Sequence, residues 1–272
     1  MKFSILGANG WIGSSLAHFC EESKNQRVAR VYRNNLAEWL DNSCSQNEDH
    51  TVFYCIGLTS DFREKPHETI YAHVSLLSKV IAQVPISNLV YLSSTRIYAD
   101  SAKAVETDDL AVNPNNSSDI YNLSKLLGEA LVLSNPNSGF KVARVSNVLG
   151  PNQPKNTFVG QLLRSAQAEG KVTIRQAAST AKDYISIQNV VQILYAIALN
   201  GKQRIYNLAR GENTSHDEVA QWLRSFGCEV IFSQNDEDHI SLPAIMNDRI
   251  LNEFSPGLVN PFSPELFNSF VI

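Results

Sequence analysis

Short apolar runs alternate with helical stripes along the first half of the chain. KFSIL (2–6) reads as a strand, and WIGSSLAHFCEES (11–23) has the spacing of a helix. RVARVY (27–32) is a second strand, followed by a short helix around 37–40. TVFYCI (51–56) is apolar almost throughout, as a strand covered on both faces should be. Between 67 and 84, Ile70, Val74, Leu77, Ile81 and Val84 fall at spacings of four, three, four and three. That spacing predicts one helical stripe, stopped by Pro85. NLVYLSS (88–94), a helix over 119–133 and KVARVS (141–146) continue the alternation. Strands alternating with helices predict an α/β fold with a parallel sheet and right-handed crossovers.

After GPNQP (150–154) the rhythm changes. Helices are expected near 158–168, 190–199 and 215–227, with strands at KVTI (171–174), RIYNLA (204–209) and EVIF (229–232). The expected organisation is a first domain over 1–150, to which 183–209 returns, and a small C-terminal α/β lobe with a tail over 151–272. Pro243, Pro256, Pro261 and Pro264 interrupt a final segment with little period, which predicts a tail wrapping the surface.

Lys and Arg number 23 against 27 Asp and Glu, a formal charge of −4. Neither nucleic acid nor an anionic membrane is expected as a partner on that balance. The cysteines at 20, 44, 55 and 228 have no metal-ligand spacing and no disulfide framework, so no metal is expected. Cys20 and Cys55 lie in apolar runs and read as buried small hydrophobes. The opening apolar run, Phe3–Leu6, is too short for a secretory leader, and no window reaches membrane-spanning length. A reducing cytoplasm is the expected compartment.

LGANGWIG joins the first strand to the first helix, with Gly7, Gly10 and Gly13 in a G-x-x-G-x-x-G pattern. Glycines let the backbone turn sharply and approach a pyrophosphate, and the helix N-terminus behind them supplies free N–H groups. Gly7, Asn9, Gly10, Trp11, Ile12 and Gly13 are therefore candidate dinucleotide-binding residues of a Rossmann-type, doubly wound sheet. Arg33 stands where an acid for the ribose hydroxyls usually falls. An arginine there suits a 2′-phosphate and favours NADP over NAD.

SDIYNLSKLLGEALVL (118–133) places Tyr121 and Lys125 one helical turn apart on one face. A free tyrosine has a pKa of about 10, and a neighbouring ammonium, helped by a positively charged nicotinamide, is expected to draw it towards working pH. Tyr121 could then exchange a proton with a carbinol. YLSSTRIYAD (91–100) offers Ser93, Ser94 and Thr95 at the carboxyl end of a strand, where ligands of open parallel sheets bind.

Taken in order, GANGWIG, YLSSTRIYA, YNLSK, ARVSNVLGP and KDYISIQNVV resemble the extended short-chain dehydrogenase/reductase superfamily. Within it the likeness is to the NAD-dependent epimerase/dehydratase group that acts on sugar nucleotides. The resemblance implies that Tyr121 is the acid/base, Lys125 its partner and a holder of the nicotinamide ribose, and Ser94 the catalytic hydroxyl. It places Gly57 and Leu58 beside the cofactor, and Thr59, Thr95 and Asn147 near the substrate. Asp183 and Tyr184 match a strand joining two lobes, and helices 67–84 and 119–133 would pair across the two-fold axis of a homodimer. The segment 34–50 is compressed and polar relative to the family, and Ala99 replaces a glycine. A dehydratase generally needs an acid/base pair beside the serine, where this chain has Thr95 and Arg96. The expectation is thus an NAD(P)-dependent epimerase or reductase acting on a nucleotide sugar. The alternatives are an NADPH-dependent carbonyl reductase on a small substrate and a non-catalytic NADP-binding sensor.

Overall fold

Strands form where the apolar runs lie, because helices cover them from both sides. The computed structural model describes residues 2–44, 49–58, 61–99, 101–233 and 242–271. Its first half contains β1 (Lys2–Leu6), α1 (Trp11–His18), β2 (Val28–Val31), α2 (Leu36–Ser43), β3 (His50–Tyr54), α3 (Pro66–Ile70), α4 (Leu76–Gln83), β4 (Asn88–Ser94), α5 (Asp119–Ser134) and β5 (Phe140–Val145). Then come β6 (Asn147–Leu149), α6 (Phe158–Glu169), β7 (Lys171–Ile174), β8 (Ala181–Ser186), α7 (Ile187–Asn200) and β9 (Ile205–Leu208). The chain continues through β10 (Asn213–Ser215), α8 (His216–Ser225), β11 (Glu229–Phe232), α9 (Asp248–Phe254) and α10 (Pro264–Val271).

Six strands make one parallel sheet in the order β2-β1-β3-β4-β5-β9. The winding reverses between β1 and β3, the switch point at which such sheets open a crevice beyond their carboxyl ends. This is the expected doubly wound α/β fold. Leu16, Ala17, Val190 and Leu194 from α1 and α7 cover one face. Trp39, Leu77, Val80 and Val132 from α2, α4 and α5 cover the other. Every residue of β3 and β5 is buried, which is why those runs show no polar alternation. Each core side chain the size of Leu77 contributes roughly 1.5–3 kcal/mol by leaving water.

The second half builds a smaller α/β unit. β8 lies between β6, which it pairs in parallel, and β10, which it pairs antiparallel. β7 and β11 form a separate parallel pair, and Leu162, Val172, Tyr184, Leu223 and Phe267 fill the core between these sheets and α6, α8 and α10.

Two expectations need correction. The helix over 67–84 is interrupted by a π turn at Tyr71–Ser75, between α3 and α4. The extra residue rotates the faces against each other, so the predicted stripe breaks. Leu77 and Val84 are buried as expected, but Ile70 is 41% exposed and Thr69, Ala72 and His73 turn inward instead. The tail is also more than a surface wrap. Ile250 of α9 joins the main core, and Phe267 of α10 stacks on Phe226 with centroids 4.0 Å apart. Prolines divide that segment into pieces too short to show a period.

Candidate active site

β1 delivers the chain into a turn that only glycine can make. Gly7 has φ +86°, and a Cβ there would lie 3.0 Å from the carbonyl of Cys55, just past β3. A Cβ at Gly13 would lie 2.4 Å from the Gly7 oxygen, so the first turn of α1 rests directly on the loop. The Gly7 N–H donates to the Val31 carbonyl at 3.0 Å, holding the loop against β2. Gly10 caps α1 without any side-chain cap, which leaves the first N–H groups of the helix for an outside acceptor. Trp11 Nε1 donates to the Pro151 carbonyl at 3.0 Å, Ile12 packs on the core, and Asn9 is exposed. Gly13→Ala is expected to destabilise the fold by about 1–3 kcal/mol through overpacking. Urea denaturation measures it, and unchanged stability would contradict this packing.

The ends of β3 and β4 and the start of α5 build the site's floor. Lys125 Nζ donates to the Leu92 carbonyl at 2.8 Å, and the side chain is 5% exposed. A Cβ on Gly57 would stand 3.3 Å from that Nζ and 3.0 Å from His73 Nε2, so Gly57 is the cradle between them. His73 Nδ1 lies 2.8 Å from Ser124 Oγ, and Ser124 spends its single proton on the Tyr121 carbonyl at 2.9 Å. Nδ1 must therefore donate, which leaves the lone pair on Nε2. That nitrogen has no hydrogen-bond partner among the described residues.

Tyr121 is 7% exposed, and the Ser94 side chain lies close enough to its phenol to favour the phenolate. Lys125 Nζ is 6.0 Å from the Tyr121 ring centroid. Burial raises the phenol above its ordinary pKa, against lowering by the Ser94 side chain and the Arg96 charge. Burial likewise brings Lys125 down to about 7, although Glu129 and Cys55 favour its charge. Burial thus outweighs the pull of the neighbouring cation on the phenol. One desolvated floor disfavours phenolate and ammonium together, and Tyr121 stays protonated.

Burial also keeps three histidines neutral. His50 and His216 are held at about 4 and His73 at about 2, in each case chiefly by loss of solvent. In the unfolded chain they take up protons below about 6.5. Unfolding therefore binds protons in that range, and stability is expected to fall as pH drops through it. Denaturation midpoints at about pH 7.5 and about pH 5 would show this, and equal midpoints would contradict it.

Cations gather beside the phenol. Phe62 is buried with its ring 5.2 Å from that of Tyr121. The guanidinium carbons of Arg63 and Arg96 stand 4.5 and 5.0 Å from the Phe62 centroid, and Arg96 is 5.7 Å from that of Tyr121. Lys182 of β8 loses proton affinity to burial and then to the charge of Arg96, so a strand of the smaller unit brings a third cation into electrostatic range. Among the described residues none of these three pairs with a carboxylate. Sequence reasoning misses Phe62, Arg63, His73 and Lys182. Only Arg96 left a signal, as a basic residue where an acid was looked for.

Other expected residues are placed less centrally. Asn147 Nδ2 donates to the Asp183 carbonyl at 2.9 Å, which ties β6 to β8. Asp183 is a structural hub whose carboxylate accepts from Ser146 Oγ and from the N–H groups of Arg210, Gly211 and Glu212. Thr95 is half-buried in the 3-10 turn after β4, and Leu58 follows Gly57. Arg33 is exposed in the turn after β2, two residues beyond the carbonyl that holds the glycine loop. Thr59 lies outside the described residues. No group of three His, Cys, Asp or Glu among the described residues is placed to hold a metal ion. No helix among them is long and apolar enough to cross a membrane.

A glycine turn at the switch point, with serine, tyrosine and lysine converging at the same sheet edge, defines an α/β enzyme of the Rossmann type. The chain belongs to the NAD dependent epimerase/dehydratase family, whose model matches residues 3–209. Comparison with curated proteins finds no match. Among solved structures the fold is similar to that of TunA, an NAD dependent NDP-hexosamine 5,6-dehydratase of tunicamycin biosynthesis, at 16% identity and a TM-score of 0.81 over 99% of this chain and 96% of that one. It is similar to UDP-glucose 4-epimerase of Thermotoga maritima with UDP-glucose, at 17% identity and a TM-score of 0.81 over 100% and 97%. RMD of Pseudomonas aeruginosa, complexed with NADPH, matches at 17% identity and a TM-score of 0.79 over 99% and 97%. At these identities the likeness is one of fold.

Proposed function

We propose that this enzyme is an NAD(P)-dependent epimerase or reductase acting on a nucleotide sugar. The observation that carries the reading is the convergence of Ser94, Tyr121 and Lys125 beside Gly57, on the sheet edge that also carries the glycine turn. The residues fit a dinucleotide, because positions 7, 13 and 57 exclude a Cβ and α1 is uncapped. Gly7, Gly10 and Gly13 with the first N–H groups of α1 would hold the pyrophosphate, and Arg33 a 2′-phosphate, which favours NADP. Lys125, Gly57 and Leu58 would hold the nicotinamide half. The dinucleotide supplies hydride exchange and, when oxidised, a positive ring.

This chain's own residues handle the proton. Ser94 orients the reacting oxygen, Tyr121 donates to it or takes its proton, and Lys125 sets the field. Arg63, Arg96 and Lys182 together support an anionic substrate over a small neutral carbonyl. Thr95 and Arg96 beside the serine supply no acid, which favours epimerase or reductase over dehydratase. The unit of β6, β8, β10 and α6 is the proposed substrate lobe, with Asn147 at its entrance.

Thermal shift against UDP-, GDP- and dTDP-sugars tests the reading. A sugar nucleotide at 100 times its Kd should stabilise by about 2.7 kcal/mol. No stabilisation by any of them, together with turnover of small carbonyls, would replace it with the simple reductase. The four free cysteines suit a reducing cytoplasm.

A homodimer is part of the proposal. Tyr71, Leu123 and Leu127 are 56%, 37% and 57% exposed on the adjoining π turn and α5, an apolar face suited to a second copy. Leu127→Lys is expected to leave a folded monomer in sedimentation velocity, and an unchanged dimer would place the interface elsewhere.

A further inference from the structure

Two exposed guanidinium groups, those of Arg63 and Arg96, flank one buried phenyl ring. Arg63 and Arg96 repel each other across Phe62, and desolvation together with Arg63 lowers the proton affinity of Arg96. Asp119 offers some attraction, but its oxygens already accept from the Asn113 N–H at 2.8 Å and from Asn122 Nδ2 at 3.2 Å. Arg63 donates Nε to Ser118 Oγ at 2.9 Å, a neutral partner. Neither guanidinium has a carboxylate partner among the described residues, and both face solvent, open to an incoming anion. Arg96 follows Ser94 by two residues, and its own N–H donates to the Ser94 oxygen at 3.2 Å. It also stands against the Tyr121 ring. Its guanidinium thus lies beside the Phe62 and Tyr121 rings.

We infer that Arg96, with Arg63 behind it, forms an anion subsite beside the reacting centre, and that the sugar this enzyme transforms carries a carboxylate. The planar fork of a guanidinium matches a carboxylate with two parallel hydrogen bonds. A carboxylate on a pyranose lies only two or three bonds from the ring carbinol that Ser94 and Tyr121 would address. The Phe62 ring lies against both guanidinium groups, beside the Tyr121 ring. This inference rests on the nucleotide-sugar reading and narrows it to nucleotide uronates.

The test begins by finding which of UDP, GDP, CDP, ADP and dTDP stabilises the protein most in the presence of NAD(P)H. Calorimetry then compares nucleotide sugars of that base which differ only in a hydroxymethyl group or a carboxylate, such as UDP-glucose and UDP-glucuronate. The acid is expected to bind at least about tenfold tighter, the scale of one hydrogen-bonded charge pair. Arg96→Gln should remove that preference while leaving the neutral sugar within about twofold, and Arg63→Gln should reduce it in part. Equal affinity for both sugars in the wild type would overturn the inference. So would an Arg96→Gln protein that loses both sugars alike, since Arg96 would then serve the diphosphate they share. Failure of every nucleoside diphosphate and nucleotide sugar while NAD(P)H binds would instead overturn the nucleotide-sugar reading beneath it.

Discussion

Tyr121→Phe is expected to lower turnover by about 10²–10⁴-fold while NAD(P)H affinity changes by less than about threefold. The substitution removes one oxygen and keeps the ring, so the contacts with Phe62 and His73, at 5.2 and 5.4 Å between centroids, remain. What disappears is the phenol oxygen beside Ser94 and the proton it holds. Burial keeps that proton on the oxygen in the protein alone, so the residue is poised first as a donor. Fluorescence titration of NAD(P)H and steady-state turnover of the same preparation separate the two effects. A Phe variant with undiminished kcat would end the acid/base assignment, whatever its effect on binding.

Glu129→Ala is expected to destabilise the fold by about 3–5 kcal/mol, a fall of roughly 10 °C in Tm. Glu129 and Arg144 are 2% and 3% exposed. Arg144 donates to both carboxylate oxygens, with Nη2 to Oε2 at 2.7 Å, while its Nη1 reaches the Tyr98 hydroxyl at 2.6 Å. Tyr98 donates its own proton to Asn207 Oδ1 at 2.9 Å, so the network joins α5, β5 and β9 behind the floor of the candidate site. Removing the acid strands a buried guanidinium without its partner. Replacing Glu129 and Arg144 together by leucine and methionine should cost much less, because no charge is then left unpaired. Urea denaturation of both variants checks this. A loss below about 1 kcal/mol for Glu129→Ala would show that water reaches the pair.

The legible parts of the site were those written locally. Gly7, Gly10 and Gly13 lie in one turn, and Tyr121 and Lys125 on one helical face, so spacing alone carries them. Phe62, Arg96 and Lys182 come from three separate elements and meet only when the sheet and the smaller unit assemble. His73 was hidden differently. It sits in the π turn, whose additional residue carries it inward from a stripe counted at ordinary helical spacing. β6 and β10 have three residues each, too few to show a period, and so the sheet that carries Lys182 was read only in part. The direction of the Tyr121 shift could not be read at all, because it depends on how much water the folded floor excludes.

The indole that bridges Trp11 to Pro151 makes the chain its own optical reporter. The other two fluorophores are committed elsewhere, Trp39 bonded to Ser4 in the core and Trp222 among Phe226, Phe262 and Phe267. Emission changes on adding a dinucleotide would therefore arise mainly from one ring lying where two halves of the molecule touch. Quenching there would register whether filling the first compartment loosens or tightens the latch to the second.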